Sequence, residues 1–476
     1  MLNDKERREL AQAHALWDKN EVDAAWDIVK NLLIEHPHDG VTLQMGGHIY
    51  DKSGNVPVAY HLFKAATEAD PREASGWLNL GRLAEDLWRT SEAERCYDKA
   101  LKLSNREDTT RCTYGNLAAL CVDNARYAEA EKWSKKLLEQ WPGDQGALSN
   151  LGFAQLGQRN WAEGWANYRH CLDLKARTRI NYRGEPEWDG TPGQTVVLYG
   201  EQGMGDELSF ASMVPDALKH CKKVILDCDS RLAGLFKRAF PGAKVYGTRR
   251  FKPMGEKVKL WDEEDREFDA SLAIGQIGEY FRNAPEKFDG KPYLLPDPER
   301  LLMWEALWKT KHKPKIGIAW QGGISKTGSR FRRWTLEQLV PVLKSVDAHW
   351  VVLEYKPALV ELEAFKAKYP EIDIKEYPHA TLTKDYDDTA ALVSSLDLVF
   401  CMQTSVAHLS GALGVPCWVC VPPTSQWRYG ATGEDNPWYD SIRVIRQQKG
   451  EWNFGQIAQQ LSDHFRRVPR AAVRVA

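Results

Sequence analysis

The chain predicts an α-helical repeat array followed by two Rossmann-like α/β units. Three observations carry this. Small and aromatic residues recur at a period of roughly 34 through the first third of the sequence. An apolar β-branched run, Val196-Val197-Leu198-Tyr199, breaks into the closely spaced glycines of Gly200-Glu201-Gln202-Gly203-Met204-Gly205. Helix-forming residues follow, so this segment reads as strand, tight turn and helix. A second strand-like run, Lys315-Ile316-Gly317-Ile318-Ala319-Trp320, opens a similar unit after the Pro-rich linker Pro285 to Pro298.

Size and composition bound the function. With 476 residues the chain is long enough for two or three domains with sizeable cores. A net charge of −2 with 27% charged residues gives no sign of a general polyanion binder. No apolar run is long enough to cross a bilayer, so no membrane insertion is expected. Met1 to Leu10 is charged and lacks the apolar core of a signal peptide. The nine cysteines are odd in number and scattered, which suits reduced thiols and a cytoplasmic location. Cys417-Trp418-Val419-Cys420 has C-x-x-C spacing, but in a strand residues three apart point to opposite faces, so it is not read as a metal site.

The repeats can be aligned by their small and large positions. From Ala74, Trp77, Leu80 and Gly81 fall in a first helix and Ala93, Tyr97 and Ala100 in a second. From Gly40 the equivalents are Gly46, Gly47, Tyr50, Ala59, Phe63, Ala66 and a closing Pro71. Weaker copies start at Glu6 (Ala13, Leu16, Ala25, Pro37), at Arg111 (Leu117, Ala118, Ala130, Pro142) and at Gln145 (Leu151, Gly152, Gly164, Tyr168). A short insertion near Asn105 to Asp108 precedes the fourth. Small residues let paired helices approach and aromatics fill the groove between them. This register resembles tetratricopeptide repeats. The resemblance implies a concave face that binds a polypeptide, with asparagines such as Asn79 and Asn116 holding its backbone. A capping or dimerisation role for the array is the alternative.

After Leu172 the composition shifts, and the Arg-, Gly- and Pro-rich stretch Arg177 to Gly193 reads as a connector. Expected boundaries are residues 1–176 for the array, 177–296 for the first α/β unit and 297–476 for the second. Further strands are expected at Lys223 to Leu226, Ala270 to Ile274, Trp350 to Leu353, Leu398 to Cys401 and Cys417 to Val421. Helices are expected at Arg231 to Ala239, Val406 to Leu413 and, at the C-terminus, Phe454 to Phe465. Two such halves bind ligands in the crevice at the carboxyl ends of their strands. Asp206, directly after the glycines, has two open roles: capping the helix, or taking a proton from a hydroxyl.

Several motifs occur together and in order. They are Glu201 to Asp206, Ile316 to Gly322, Asp388 to Leu392, Gln403-Thr404-Ser405-Val406-Ala407-His408 through Gly414, Trp427-Arg428, and Asn436-Pro437-Trp438-Tyr439. In this combination the chain resembles the heptosyltransferase-like glycosyltransferases of the GT-B fold, in the subgroup with N-terminal tetratricopeptide repeats. Its layout is similar to that of protein O-GlcNAc transferases and flagellin-modifying transferases. The resemblance implies an inverting transferase that needs no metal and no cofactor, with a nucleotide-sugar as co-substrate. It places the acceptor on the first α/β domain and the nucleotide-sugar on the second.

Residue roles follow from that resemblance together with the chemistry. Inversion needs a base for the acceptor hydroxyl and a stabiliser for the leaving diphosphate. Asp206 matches the position taken as the base. Gly203, Met204 and Gly205 line the donor side of the same turn. Gln321 in the Trp320-Gln321-Gly322-Gly323 turn, with Lys326 and Arg332 beyond it, would meet the phosphates; Arg330 and Arg333 are read as a solvated charge run. Thr404, Ser405 and Val406 would offer N–H groups at a helix start, and His408, one turn inside, would reach a phosphate or sugar oxygen. A buried core histidine is the other reading of His408. Gln403 stands where the family commonly has Asp, which keeps hydrogen bonding and removes charge. Tyr355, in Glu354-Tyr355-Lys356, and the segment Tyr377-Pro378-His379-Ala380 would lie beside the base. Arg428 and Trp427 would contact acceptor or sugar, while Trp438 packs. Asp227-Cys228-Asp229 reads as a turn and cap, and Asp385-Tyr386-Asp387-Asp388 as a loop into a helix capped near Asp388 or Thr389.

The acceptor expected for the array is a protein. A glycan, a lipid precursor or a modified nucleic-acid base is the second reading, with Arg249-Arg250-Phe251-Lys252 and Arg466 to Arg474 as the basic clusters open to nucleic acid. A non-catalytic scaffold with a degenerate transferase domain is the third.

Overall fold

The computed structural model describes residues 2–174, 177–251, 254–323, 329–355, 359–448 and 450–467. The chain divides into two compact units, Met1–Leu151 and Gly152–Ala476.

The first unit is built of helical hairpins: Asp4–Asp18 with Val22–Glu35, Gly40–Lys52 with Val56–Ala69, Ala74–Asp86 with Thr90–Leu103, and Glu107–Asp123 with Tyr127–Gln140. The small-to-aromatic alternation is what closes them. A methyl group at Gly47 would lie 2.7 Å from the Phe63 ring, and one at Gly81 would lie 2.6 Å from the Tyr97 ring. Only a residue without a side chain allows the partner helix so close. Within each hairpin one residue turns left-handed: Asn20, Gly54, Trp88, Ala125 and, in the fifth repeat, Arg159. Four of the five are not glycine, so each of those four turns stores about 1–2 kcal/mol that the packed hairpin must outweigh. The interval from Trp88 to Ala125 is longer than the others because it holds the insertion near Asn105 to Asp108.

The second unit begins inside the fifth repeat. Its helix Trp161–Tyr168 leads into two parallel sheets. In the first sheet β1 is Thr195–Tyr199, β2 Lys223–Asp227, β3 Lys244–Tyr246 and β4 Ala270–Ala273, in the order β3-β2-β1-β4. In the second, β5 is Lys315–Ala319, β6 His349–Val352, β7 Ile374–Glu376, β8 Leu398–Met402, β9 Cys417–Val421 and β10 Ile442–Arg446, in the order β10-β9-β8-β5-β6-β7. Apart from the half-buried polar starting residues of β1, β2, β5 and β6, the central strands are buried along their length, as parallel strands covered by helices on both faces must be. The expected fold class, a tetratricopeptide-like array followed by a GT-B-like pair of Rossmann sheets, is the one observed. β3 and β10 have no counterpart in the sequence reading, and β7 has one only as a strand without bounds before Tyr377. β3 and β7 are three residues long, and β10, Ile442-Arg443-Val444-Ile445-Arg446, carries two arginines on a sheet edge.

In each sheet the strand order reverses beside the first strand in sequence, between β1 and β4 and between β5 and β8. Such a switch point opens a crevice at the carboxyl ends of the strands. The turns after β1, β5 and β8 therefore all open at these ends.

Candidate functional site

The turn after β1 is shaped by what lies beneath it. A methyl group at Gly200 would meet the Glu207 side chain at 2.4 Å, so the backbone rests directly on that carboxylate. Burial pushes Glu207 up to about 8, against the pull of Arg249 and the bond from the Asp229 N–H. Arg249 pairs with Glu207 and also donates to the Gln202 carbonyl. Arg250 pairs with the buried Asp229 at 2.9 Å. These two arginines of the basic cluster are thus tied to acids of their own lobe. Asp229 caps the turn Ser230–Leu232 through the Arg231 N–H, and Asp227 accepts from Tyr182 and Thr248.

Gly203 starts the helix Met204–Ala211, and Asp206 Oδ2 accepts from its N–H at 3.0 Å. The cap expected of Asp206 is therefore present. The other oxygen, Oδ1, is ion-paired with Arg428. Asp206 keeps 23% of its side chain exposed, whereas Arg428 keeps 3%. Arg428 lies 4.7 Å over the Phe210 ring and 4.8 Å over the Trp427 ring, and its Nε has no hydrogen-bond partner among the described residues.

The second lobe brings a helix start to the same place. Thr404 caps Ser405–Ala412, its Oγ1 accepting from the Val406 N–H at 3.2 Å. A methyl group at Gly205 would lie 3.4 Å from Ser405 Cα and 3.3 Å from His408 Cδ2. Two helix N-termini, each a partial positive charge, thus abut next to Asp206. Arg332, from the loop after β5, is buried, and burial pulls its guanidinium below the ordinary value. Asp206, Tyr429 and Tyr355 are the groups that act on it in the opposite sense. One buried guanidinium, that of Arg428, and two helix starts therefore flank one partly exposed carboxylate, while Arg332 is buried on the loop after β5. That balance favours an anion.

The remaining expected residues divide by what they touch. His408 is buried, with Nε2 3.4 Å from the Tyr429 hydroxyl and Nδ1 3.4 Å from the Tyr439 hydroxyl. Desolvation, helped by Arg428, pushes it down to about 3. Gln403 is buried and bridges to the loop after β9, donating to the Thr424 carbonyl at 3.5 Å and accepting from the Gln426 N–H at 3.3 Å. Glu354 is buried as well, accepting from the N–H groups of Trp320 (2.6 Å) and Gln321 (2.8 Å), so it pins the turn after β5. Tyr355 is exposed and reaches the Gly323 carbonyl at 3.3 Å. Tyr377 and His379 pack on Trp304. The helix Tyr386–Ser394 is capped by Asp385, three residues before Asp388. Trp427 is buried among Trp165, Tyr168, Phe210 and Trp438. Lys326, Lys356 and Lys252 lie outside the described residues, as does the stretch beyond residue 467.

The depressed His408 makes a pH prediction. An unfolded histidine titrates near 6.5, whereas the folded one stays neutral down to about 3. The unfolded state therefore binds the extra proton between these values. Stability from this group is complete above pH 6.5 and is lost as pH falls. Between pH 6.5 and 5 the loss should be about 2 kcal/mol. His408→Gln should flatten that part of the acid limb in urea unfolding; an unchanged difference between the two pH values would show that His408 is not the group responsible.

Sequence reasoning passed over Tyr168, Arg177, Glu201 and Gln202 as a group. Tyr168 accepts from Gln202 Nε2 at 2.8 Å, and Arg177 pairs with Glu201 at 2.8 Å with both side chains almost wholly buried. The available signal was the aromatic density of the last repeat helix, Trp161-Ala162-Glu163-Gly164-Trp165-Ala166-Asn167-Tyr168, which exceeds what the repeat itself needs.

A helical repeat array leading into two parallel Rossmann-like sheets defines a tetratricopeptide-repeat protein with a GT-B-like α/β region. The Cytochrome c-type biogenesis protein H TPR domain matches residues 64–178. Protein FlbA of Caulobacter vibrioides is 30% identical over 432 residues, which span 85% of this chain and 70% of that protein. The chain belongs to the FlbA family. Among solved structures it is similar to Pseudomonas aeruginosa PilF (13% identity, 35% of this chain and 74% of that one, TM-score 0.33). It is also similar to MamA (20% identity, 34% and 92%, TM-score 0.31). Among the described residues no helix is long and apolar enough to cross a membrane.

Proposed function

We propose that this chain is an inverting glycosyltransferase that moves a sugar from a nucleotide-sugar to a protein held by the repeats. One observation carries the reading: the Asp206 carboxylate stands, partly exposed, paired with the buried Arg428 and next to two abutting helix starts at the switch points of two Rossmann sheets, with Arg332 buried on the loop after β5. A departing diphosphate needs concentrated positive charge, and an attacking hydroxyl needs a nearby proton acceptor. The guanidiniums supply the first without a divalent ion. Asp206 supplies the second. His408, neutral and held between two tyrosines, orients the helix start in this scheme and carries no charge to the phosphates.

The array supports the acceptor half of the reading. A cavity of about 890 Å³ opens in the first unit, lined by His14, Gln44, His48, Ser75 and Asn79 among others. Ser75 Oγ donates to Gln44 Oε1 at 2.9 Å, and Asn79 Nδ2 lies 3.5 Å from His48 Nε2, so successive repeats present a polar ladder. Such a ladder suits a peptide backbone. Asn116 is half-buried on the helix Glu107–Asp123 and is not among the residues lining this cavity.

The test is nucleotide release from a panel of nucleotide-sugars, with and without EDTA, and sugar transfer to proteins of the native host. Release from at least one donor that survives EDTA is expected. No release from any donor, or a strict divalent-metal requirement, would overturn the reading. Asn79→Ala should weaken acceptor binding about three- to tenfold, the worth of one backbone hydrogen bond, while donor hydrolysis stays at the wild-type rate.

A further inference from the structure

We infer that Tyr168 and Arg177 are positioning residues that set the Asp206 carboxylate by anchoring the two residues before its turn; this rests on the transferase reading above. Tyr168 closes the last repeat helix and is fully buried. Its hydroxyl oxygen accepts from Gln202 Nε2 at 2.8 Å. Arg177, from the connector, donates to Glu201 Oε1 from Nε at 3.2 Å and from Nη2 at 2.8 Å. Its guanidinium lies 4.4 Å over the Tyr168 ring, and Nη1 reaches the Tyr168 carbonyl at 3.5 Å. Gln202 Nε2 also donates to Glu201 Oε1 at 3.1 Å. Repeat helix, connector and glycine turn thus form one closed network.

The network has a direction. Beyond Gln202 the chain runs through Gly203, whose N–H holds Asp206 Oδ2, to Asp206 itself. On its opposite side the Gln202 carbonyl is held by Arg249. Two clamps therefore fix one residue, one through its side chain and one through its backbone. Between them the turn presents the carboxylate at a defined height over the crevice. A reacting group displaced by an ångström loses rate far more readily than affinity. Glu201 Oε1 takes the bonds from both Arg177 and Gln202, while Oε2 is buried with no hydrogen-bond partner among the described residues. The last repeat is in this sense part of the catalytic unit: it holds the loop on which the acid–base group stands.

The test uses the full chain and three variants, Tyr168→Phe, Gln202→Ala and the double variant, because removing Arg177 alone would strand a buried charge and could prevent folding. Two readouts are taken: amide hydrogen exchange of residues 200–207, and kcat and KM for hydrolysis of the donor found in the panel above. Tyr168→Phe should speed exchange in that segment about three- to tenfold and leave the rest of the second unit unchanged. It should lower kcat roughly ten- to a hundredfold with KM nearly constant. Gln202→Ala should match it, and the double variant should add nothing, as expected for two ends of one contact. Wild-type exchange and kcat in Tyr168→Phe would overturn the inference, and so would faster exchange spread over the whole second unit. If the unmodified protein turns over no donor, the transferase reading fails by itself, while the exchange arm still decides whether Tyr168 anchors the turn.

Discussion

Asp206→Asn is expected to lower donor turnover by about 10²–10⁴-fold, the usual worth of a general base. The substitution is nearly isosteric, and an amide oxygen can still accept from the Gly203 N–H, so the helix cap survives. What disappears is the proton acceptor and the negative charge facing Arg428. Arg428 is 3% exposed and would keep only a neutral partner. The cost of weakening that charge-assisted contact is about 1.5–3 kcal/mol, so thermal unfolding must be measured beside the kinetics. Binding of a nucleoside diphosphate should not weaken, because a carboxylate that repels phosphate has gone. A rate within a few-fold of wild type, in a protein that remains folded at the assay temperature, would return Asp206 to capping alone.

Trp165→Ala should be the most destabilising single change in the second unit. Trp165 is 1% exposed, and its Nε1 donates to the Arg282 carbonyl at 2.9 Å. Its ring meets Tyr168, Phe210, Trp427 and Trp438, and a methyl group at Gly278 would lie 2.3 Å from it. Truncation at such a site removes the apolar contacts and leaves a cavity, at about 3–5 kcal/mol. The same argument sets where the chain can be cut. A fragment beginning near Gly143 keeps the helices Gln145–Gly157 and Trp161–Tyr168 and should purify as a monodisperse protein with donor hydrolysis intact. A fragment beginning at Arg177 lacks Trp165 and Tyr168 and should aggregate. Calorimetry and size-exclusion chromatography on the two fragments decide the matter. A well-folded fragment from Arg177 onward would show that the aromatic cluster is dispensable.

The repeats were legible because their physics is local. A missing side chain at Gly47 or Gly81 and a ring at Phe63 or Tyr97 recur in register, and each pair meets within one hairpin. The long central strands were legible for a related reason: a run such as Val196-Val197-Leu198-Tyr199 is buried on both faces and carries no polar alternation to confuse it. β3 and β10 were not, and β7 only as a strand without bounds, because a three-residue strand or an edge strand bearing Arg443 and Arg446 has no periodicity of its own.

Side-chain roles were legible only where one short segment contained both partners. The Asp206 cap on Gly203 spans three residues and could be read directly. By itself the sequence determined the array, the two α/β units, the glycine turn and the presence of a carboxylate after it. Tertiary structure alone decided what that carboxylate faces. Arg428 reaches Asp206 across 222 residues, and Arg177 and Tyr168 meet Glu201 and Gln202 from the end of the repeats. It also decided that His408 stands between Tyr429 and Tyr439, that Gln403 ties down a loop and that Trp427 is interior. The reason is physical: burial and charge pairing depend on which surfaces the packed sheets bring together, and a linear pattern encodes the surface of each element but not its partner.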